Sequence, residues 1–290
     1  MNQMKKRYGI VVDVSKCTGC YACFLACKDE NCGEEHPGYT AAQPMTGQSW
    51  LGLAEVERGI FPKVRLSHVP KLCGHCEEPG CMKMAEDGAV YKREDGIVII
   101  DPVKAAGQKQ IASGCPHRMV FWNEEKQLPQ KCDMCAHFLD QGFGTPRCVE
   151  MCPTGALVFG DLNDPGSEVS RLAAEEDPVR AHPEYGLKEN VFFLGLPKKF
   201  VAGTVVFLDT DQCAKGARVT LRGDGVEQCL IADAFGDFWF DGLEARERFT
   251  VEVEAEGYEK ASLSAHTQND VNLGEIFLAK AGFAGEAAEI

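Results

Sequence analysis

Cysteine spacing constrains this chain more than any other feature. Its 290 residues include 15 cysteines, most of them in tight groups of the CxxC type. In small secreted domains, a high cysteine content indicates disulfide bonds. This chain is large, however, and its first residues lack the long apolar core of a signal peptide. The grouping therefore predicts metal sites.

The first group is Cys17-x2-Cys20-x2-Cys23-x3-Cys27, which follows an apolar strand predicted at Tyr8–Val14. This is the spacing of bacterial ferredoxins, in which three cysteines bind one 4Fe–4S cluster and the fourth binds the neighbouring cluster. Cys23 and Cys27 are one helical turn apart, so the helix between them can bridge two clusters.

The second group, Cys132-x2-Cys135-x12-Cys148-x3-Cys152-Pro153, repeats the pattern with an insertion before its third cysteine. Exchange of the fourth ligands predicts one cluster on Cys17, Cys20, Cys23 and Cys152. It predicts a second cluster on Cys132, Cys135, Cys148 and Cys27. Zinc is the alternative, since zinc sites also use CxxC pairs, but zinc explains neither the CxxCxxCxxxC run nor the Cys-Pro ending.

Between these groups, one site is complete and its neighbour is missing. Cys73-x2-Cys76-x4-Cys81 lacks a fourth cysteine, and Cys115-Pro116 has the closing form of another ferredoxin motif. The exchange rule completes the three cysteines with Cys115 and gives a third cluster. The neighbouring site would need ligands at four positions that offer none, namely Ala85, Ala105, Gln108 and Ile111. The alternative is a three-iron cluster on three cysteines, with Cys115 an ordinary buried thiol.

Three cysteines and two histidines stand outside these ligand sets. We expect Cys32, Cys213 and Cys229 to be reduced, partly buried thiols, with a Cys213–Cys229 disulfide as the alternative in an exported protein. His75 and His117 lie inside cluster motifs and could tune a reduction potential through hydrogen bonds to sulfur, but we predict neither as a ligand. The sequence has no Ser/His/Asp set, phosphate loop or nucleotide fingerprint, so we predict no catalytic residue on this chain.

The C-terminal third has the pattern of an all-β domain. Short alternating strands separated by turn residues predict a seven-stranded antiparallel sandwich over residues 200–290. The predicted strands are Val201–Leu208, Arg218–Leu221, Cys229–Asp233, Phe238–Phe240, Phe249–Ala255, Lys260–Ser264 and Val271–Leu278. Residues 161–199, rich in Pro, Gly and acidic side chains, are predicted as a linker with a short helix near Ser167–Glu176.

Charge and hydropathy exclude several partners. The formal net charge is −14, and residues 200–290 hold 17 acidic against 7 basic side chains. Nucleic acid requires a basic surface, and anionic lipid repels an acidic one. No run of about 18 apolar residues exists, which argues against direct membrane insertion. We expect a cytoplasmic protein, with export to the periplasm alongside a signal-bearing partner as the alternative.

Four sequence phrases carry a family resemblance: KLCGHCEEPGC, FWNEE, KCDMC and PRCVEMCPTGAL. With them, residues 8–160 resemble the iron–sulfur subunits of the dimethyl sulfoxide reductase family. The run GTVVFLDTDQCAKGARVTLRGDG resembles transthyretin-like or carboxypeptidase-regulatory-like domains. The implied fold is α+β, with tandem ferredoxin-like modules over 1–160 followed by a small all-β sandwich.

The resemblance also implies partners and cofactors. In this family the iron–sulfur subunit pairs with a large catalytic subunit that holds molybdenum or tungsten on two pterin cofactors, and passes electrons to or from that metal. Most members carry four clusters. A subunit with three clusters followed by a β-domain is similar to the small subunits of the pyrogallol–phloroglucinol transhydroxylase branch. Catechol dehydroxylases, resorcinol hydroxylases and respiratory reductases of the arsenate or sulfur-oxyanion type are the competing branches.

The expected function is an electron relay. By family analogy, the cluster on Cys17, Cys20, Cys23 and Cys152 lies nearest the partner's metal, and the cluster completed by Cys115 is the outer one. Two other functions stay open on sequence grounds. The protein could be a free-standing carrier that docks through its β-domain, or a scaffold in which the clusters are structural.

Overall fold

The structure is a computed structural model that describes residues 5–175 and 178–282. It divides into two units, Met1–Glu55 with Ser67–Leu196, and Val56–Leu66 with Pro197–Ile290. Within the described residues, no helix is long and apolar enough to cross a membrane. The helices are α1 (Ala22–Asn31), α2 (Gly80–Lys83), α3 (Gln110–Ser113), α4 (Ala136–Asp140), α5 (Arg147–Glu150) and α6 (Glu168–Glu175).

Nine strands precede the β-domain of the second unit. They are β1 (Tyr8–Asp13), β2 (Leu51–Ile60), β3 (Lys63–Leu72), β4 (Val90–Lys92), β5 (Val98–Ile100), β6 (Phe121–Asn123), β7 (Leu128–Gln130), β8 (Leu157–Asp161) and β9 (Val191–Leu194). Strands β2 and β3, β4 and β5, and β6 and β7 form two-stranded sheets. Strands β8, β1 and β9 form a three-stranded sheet in that order.

Strand β1 is the centre of the first unit. It pairs antiparallel with β8 and parallel with β9. Ile10 and Val12 face the main core, while Val11 packs on the other side with Val169 and Phe192. A strand that is buried on both faces is expected to be continuously apolar, which is why the sequence here shows an apolar run rather than alternation.

The segment that the sequence predicts as a linker differs in the structure. Residues up to Leu196 belong to the first unit, because β9 pairs with β1 and α6 packs against β1 and β8. The predicted helix is present as α6, and the end predicted at Glu176 lies outside the described residues. Composition suggested a linker because Pro, Gly and acidic residues surround two short elements, and β9 finds its partner β1 more than a hundred residues away.

The second unit contains a β-domain of eight strands. They are β10 (Lys199–Phe207), β11 (Gln212–Cys213), β12 (Arg218–Gly223), β13 (Val226–Ile231), β14 (Asp237–Leu243), β15 (Arg248–Glu254), β16 (Ala261–His266) and β17 (Val271–Leu278). One sheet holds β11, β10, β14 and β17, and the other has the order β13-β12-β15-β16. Side chains from both sheets, such as Val205, Phe240, Leu221 and Val251, form one core.

This domain departs from the predicted seven-stranded antiparallel sandwich in two ways. The additional strand β11 has only two residues, too few to show a periodic pattern. Strand β17 pairs parallel with β10, whereas the other pairs in the domain are antiparallel. Alternation along a strand indicates which face is buried, but it does not indicate the direction of its neighbour. Residues 283–290 of the predicted domain lie outside the described residues.

Gly236 provides a test of the β-domain packing. It adopts φ +76° at the turn into β14, and a Cβ atom there would collide with the carbonyl oxygen of Val205. We expect Gly236→Ala to lower the opening free energy of β10 and β14 by about 2 kcal/mol or more, measured by amide hydrogen exchange in the full chain.

Gly225→Ala is the matched control. Gly225 has φ +74°, but a Cβ atom there would meet nothing within 4 Å. Only the cost of the left-handed backbone conformation remains, so we expect the opening free energy to fall by about 1 kcal/mol. Equal losses in the two variants would contradict the packing argument.

Candidate iron–sulfur centres

Cavity A lies beyond the end of β1, after a short 3-10 turn at Val14–Lys16. Four cysteine side chains line it, namely Cys17, Cys20, Cys23 and Cys152. The first three come from the loop and the first turn of α1, and the fourth follows α5. The structure thus brings together the four residues that the sequence predicts for one cluster.

Cavity B is lined by the second predicted set, Cys27, Cys132, Cys135 and Cys148. Helix α1 packs against α5. Cys23 and Cys27, one turn apart on α1, line different cavities. Cys148 on α5 lines cavity B, and Cys152 just beyond that helix lines cavity A. The exchange of fourth cysteines is therefore present in the geometry.

Cavity C is lined by the third predicted set, Cys73, Cys76, Cys81 and Cys115. Two glycines allow α2 and the end of α3 to meet. A Cβ atom on Gly80 would collide with the carbonyl oxygen of Gly114, and each glycine directly precedes a cysteine of this set. This backbone contact brings Cys115 to Cys81 although the two are 34 positions apart in the sequence.

Side-chain packing fills the region where a fourth site would lie. Ala105 and Ile111 are fully buried in a small core with Val90 and Ile100, and Ala85 packs against it. Gln108 accepts a hydrogen bond from the backbone N–H of Glu86 at 2.9 Å. The four positions predicted to lack ligands thus hold an apolar core and an amide that connects two loops.

The cysteine loops share an uncommon backbone conformation. Non-glycine residues with positive φ recur in them: Tyr21 (60°), His75 (43°), Arg118 (56°), Met134 (59°) and Cys135 (48°). This conformation is costly for residues with a side chain. It turns backbone N–H groups toward sulfur, as shown by Met134 N to Cys132 Sγ at 3.3 Å and Met119 N to Cys115 Sγ at 3.4 Å. Such loops suit an anionic ligand, because oriented N–H groups attract negative charge.

Burial controls the chemistry of the thiols. It raises the pKa of Cys23 and of Cys81 to about 11 and that of Cys132 to about 12. Burial acts in the same direction on Cys152, but backbone N–H donors, first that of Leu157, outweigh it and lower the pKa of this thiol. Iron binds thiolates, so loading these cavities with clusters displaces the protons that burial would otherwise retain.

A buried cation lies beside cavity C. Lys131 lines this cavity, is 3% exposed, and donates hydrogen bonds to the carbonyl oxygens of Val98 and Cys132, the latter at 2.8 Å. Burial opposes its charge, but the sulfurs of Cys73, then Cys81 and Cys132, outweigh burial and raise the pKa of Lys131. A fixed positive charge therefore stands where cavity C approaches cavity B.

The donor sets fit 4Fe–4S clusters. Each cavity gathers four sulfur atoms, and every cysteine of the chain is free of disulfide bonds. Nearby N–H groups and the Lys131 ammonium complement thiolate charge. Cys32, Cys213 and Cys229 line none of the three cavities. Cys32 is partly buried as expected, but Cys213 and Cys229 are exposed, and they lie on strands of different sheets.

A polar network that the sequence did not predict anchors the 12-residue segment between Cys135 and Cys148. Glu30, near the end of α1, accepts from His137 Nε2 at 2.8 Å and pairs with Arg147 Nε at 3.5 Å. The rings of His36 and His137 stack with centroids 3.6 Å apart. These residues are far apart in sequence, so spacing offered no signal. The network connects both ends of this segment to the helix that carries Cys27.

Comparison with known proteins agrees with this geometry. Residues 64–162 match a family model described as a 4Fe-4S dicluster domain. The chain is 38% identical over 280 residues to the pyrogallol hydroxytransferase small subunit of Pelobacter acidigallici, covering 94% of this chain and all of that protein. It is also 33% identical to a tetrathionate reductase subunit of Salmonella typhimurium, over 68% of this chain and 76% of that protein.

This protein belongs to the iron–sulfur subunits of the dimethyl sulfoxide reductase family. A further member, a component of the anaerobic dimethyl sulfoxide reductase of Escherichia coli, is 34% identical over 64% of this chain and 91% of its own length. The relatives are iron–sulfur electron-transfer subunits of molybdopterin oxidoreductases. The family prediction and the prediction of 4Fe–4S chemistry are thus confirmed.

The β-domain also has a match. Residues 201–275 match a carboxypeptidase regulatory-like domain, which confirms the predicted combination of a cluster-binding part with a C-terminal all-β domain. In this family, a small subunit of this kind implies a large catalytic partner. The number of clusters and the ligands of each cluster stay predictions.

The buried charge of Lys131 is expected to affect the reduction potentials of this iron–sulfur subunit. A buried positive charge stabilises the more negative, reduced form of a nearby cluster. We expect Lys131→Met to lower at least one cluster midpoint potential by roughly 100 mV, as for one charge several ångströms away in an effective dielectric of about 20. Potentiometric titration followed by electron paramagnetic resonance measures the shift.

Lys109→Met is the control for this experiment. The Lys109 side chain is 67% exposed and pairs with Glu124 at 3.3 Å, so solvent screens its charge. We expect no resolved change in any potential. A shift in this variant that matched the shift of Lys131→Met would contradict a specific effect of the buried ammonium.

Proposed function

We propose that this chain is a non-catalytic electron-transfer subunit that carries three 4Fe–4S clusters. The observation behind the proposal is that each cavity is lined by the four cysteines of one predicted set. The cluster in cavity A takes Cys17, Cys20, Cys23 and Cys152; that in cavity B takes Cys27, Cys132, Cys135 and Cys148; that in cavity C takes Cys73, Cys76, Cys81 and Cys115. Cysteine thiolates are the usual ligands of such clusters.

The three clusters form an electron-transfer chain in the order A, B, C. Cavities A and B share α1, which supplies Cys23 to one and Cys27 to the other. Cavities B and C meet at Lys131, which lines cavity C and is followed directly by Cys132 of cavity B. The family resemblance supports cluster A as the one nearest the partner's metal, which makes cluster C the outer end.

The electron-transfer chain ends at cluster C because the four positions that would hold a fourth cluster have no cysteine. The buried side chains of Ala105 and Ile111 occupy that region, together with Gln108. Most family members are expected to have a cluster there. A chain of three clusters instead of four suits a reaction that exchanges few electrons with outside carriers.

The partner is a large catalytic subunit with molybdenum or tungsten on two pterins, and the substrate chemistry takes place there. We assign no catalytic residue to this chain. The proposed substrate class is a hydroxylated aromatic ring, supported by a likeness that spans 94% of the chain and all of a pyrogallol hydroxytransferase small subunit. Reductases of the tetrathionate and arsenate kinds, which match over a smaller part of this chain, are the alternative. The cytoplasmic location stays a prediction from sequence.

Elemental analysis of the complex, purified without oxygen from its native host, tests the subunit assignment. We expect about twelve iron atoms per copy of this chain, after allowance for any cluster on the partner, together with molybdenum or tungsten. About twelve iron atoms without either heavy metal would instead support a free carrier. Zinc in place of iron would contradict the cluster proposal.

Cys115→Ser tests the assignment of the third cluster. Loss of its fourth thiolate should remove one 4Fe–4S signal from the electron paramagnetic resonance spectrum and leave two. Iron should fall to about eight atoms, or to about eleven if a three-iron cluster survives. The matched control is Cys32→Ser, a cysteine outside the three cavities, which should keep all signals.

Two outcomes would overturn this assignment. If the unaltered protein holds about eleven iron atoms and Cys115→Ser changes nothing, cavity C holds a three-iron cluster on Cys73, Cys76 and Cys81. If Cys115→Ser weakens all signals equally, the division of ligands among the three sets is wrong.

A further inference from the structure

His75 has an uncommon backbone conformation in the Cys73–Cys76 loop. Its φ is +43°, in the left-handed region, where Asn, Asp and His are the enriched residues other than glycine. The conformation is held from outside, because Asn190 Nδ2 donates to the carbonyl oxygen of His75 at 3.1 Å. This hydrogen bond fixes the backbone at the position from which the imidazole extends.

The hydrogen bonds of the ring fix which nitrogen carries the proton. The backbone N–H of Val98 donates to His75 Nδ1 at 3.1 Å, so Nδ1 is an acceptor and Nε2 bears the hydrogen. The Val98 residue is itself held at its other polar group, since Lys131 donates to its carbonyl oxygen. The tautomer therefore follows from backbone geometry.

The Nε2–H group is a buried donor. His75 is 1% exposed, and among the described residues Nε2 has no hydrogen-bond partner. The same side chain lines cavity C together with Cys73, Cys76, Cys81 and Cys115. Burying an unsatisfied donor is costly, so it is expected to have an acceptor, and the sulfur-rich cavity is the place that can provide one.

His117, the other histidine of this cavity, behaves differently. Its Nε2 donates to Glu189 Oε1 at 2.7 Å, so that donor is already satisfied by a carboxylate. The contrast makes His117 a matched control for His75 within one cavity.

We propose that His75 Nε2–H donates a hydrogen bond to a sulfur atom of the cluster in cavity C and raises the reduction potential of that cluster. A donor stabilises the reduced state more, because the reduced cluster is more negatively charged. The inference depends on the proposed function, which places a 4Fe–4S cluster in this cavity. His75 is then a redox-tuning residue and not a ligand.

His75→Asn is the most informative variant. The Asn side-chain oxygen can accept from Val98 N–H, and Asn tolerates the left-handed backbone, but its amide is too short to take the place of Nε2–H. We expect the equilibrium constant for reducing cluster C to fall by about threefold to tenfold, where tenfold corresponds to 59 mV for one electron. The other two clusters should keep their potentials.

A spectroscopic readout identifies the hydrogen bond directly. In complex labelled with histidine that carries ¹⁵N only in its imidazole ring, the reduced cluster C should show a ¹⁵N hyperfine coupling in pulsed electron paramagnetic resonance. The coupling should be lost in His75→Asn and kept in His117→Asn. Cluster C is identified beforehand as the signal that Cys115→Ser removes.

The outcomes separate this inference from the proposed function. If the unaltered complex lacks three clusters, the proposed function fails. If three clusters are present, but His75→Asn leaves the potential of cluster C unchanged and no ¹⁵N coupling is seen, the inference alone is overturned. If His75→Asn fails to load cluster C, the labelled His117→Asn complex decides: a retained coupling supports His75 as the donor, and a lost coupling overturns it.

Discussion

The exchange of cysteines between two helices is the constraint on which the first unit depends. Cys23 and Cys27 lie one turn apart on α1 and line different cavities, and Cys148 and Cys152 do the same at α5. The cysteine groups at 17–27 and 132–152, more than a hundred residues apart in the sequence, must therefore meet. The main core contains Cys23, Cys27 and Cys148 beside Ile10, Val12 and Leu157, so the ligand positions and the apolar packing belong to one cluster of buried side chains.

Cavity C is built by different means. Its cysteines lie on loops and very short helices, and a backbone contact between Gly80 and Gly114 joins the two halves. Two polar side chains that line it, His75 and Lys131, are deeply buried. Val98 accepts from Lys131 through its carbonyl and donates to His75 through its N–H, so one residue of β5 orients both. On the proposed function, the Val98 backbone would position the cation and the donor that set the potential of the outer cluster.

An apolar core occupies the region where a fourth ligand set would lie. Alanine and isoleucine stand at three of the four positions where a further cluster would need cysteines, and they pack into a core with Val90 and Ile100. The missing ligands were visible in the sequence because cysteine spacing is rigid. That an apolar core occupies the region became visible only in three dimensions, since Val90 and Ile100 are brought there by the β4–β5 hairpin.

The sequence by itself determined the family and the existence of a C-terminal all-β domain, and it predicted the cysteine groups that line the three cavities. A tight loop can present cysteines to one cluster only at a few spacings, and alternating short strands are a local signal. Tertiary structure decided what has no local signal: the pairing of β9 with β1, the parallel pairing of β17 with β10, and the Glu30–His137–Arg147 network. It also decided the tautomer and burial of His75. These features depend on contacts between residues far apart in the sequence, and such contacts exist only once the protein has folded.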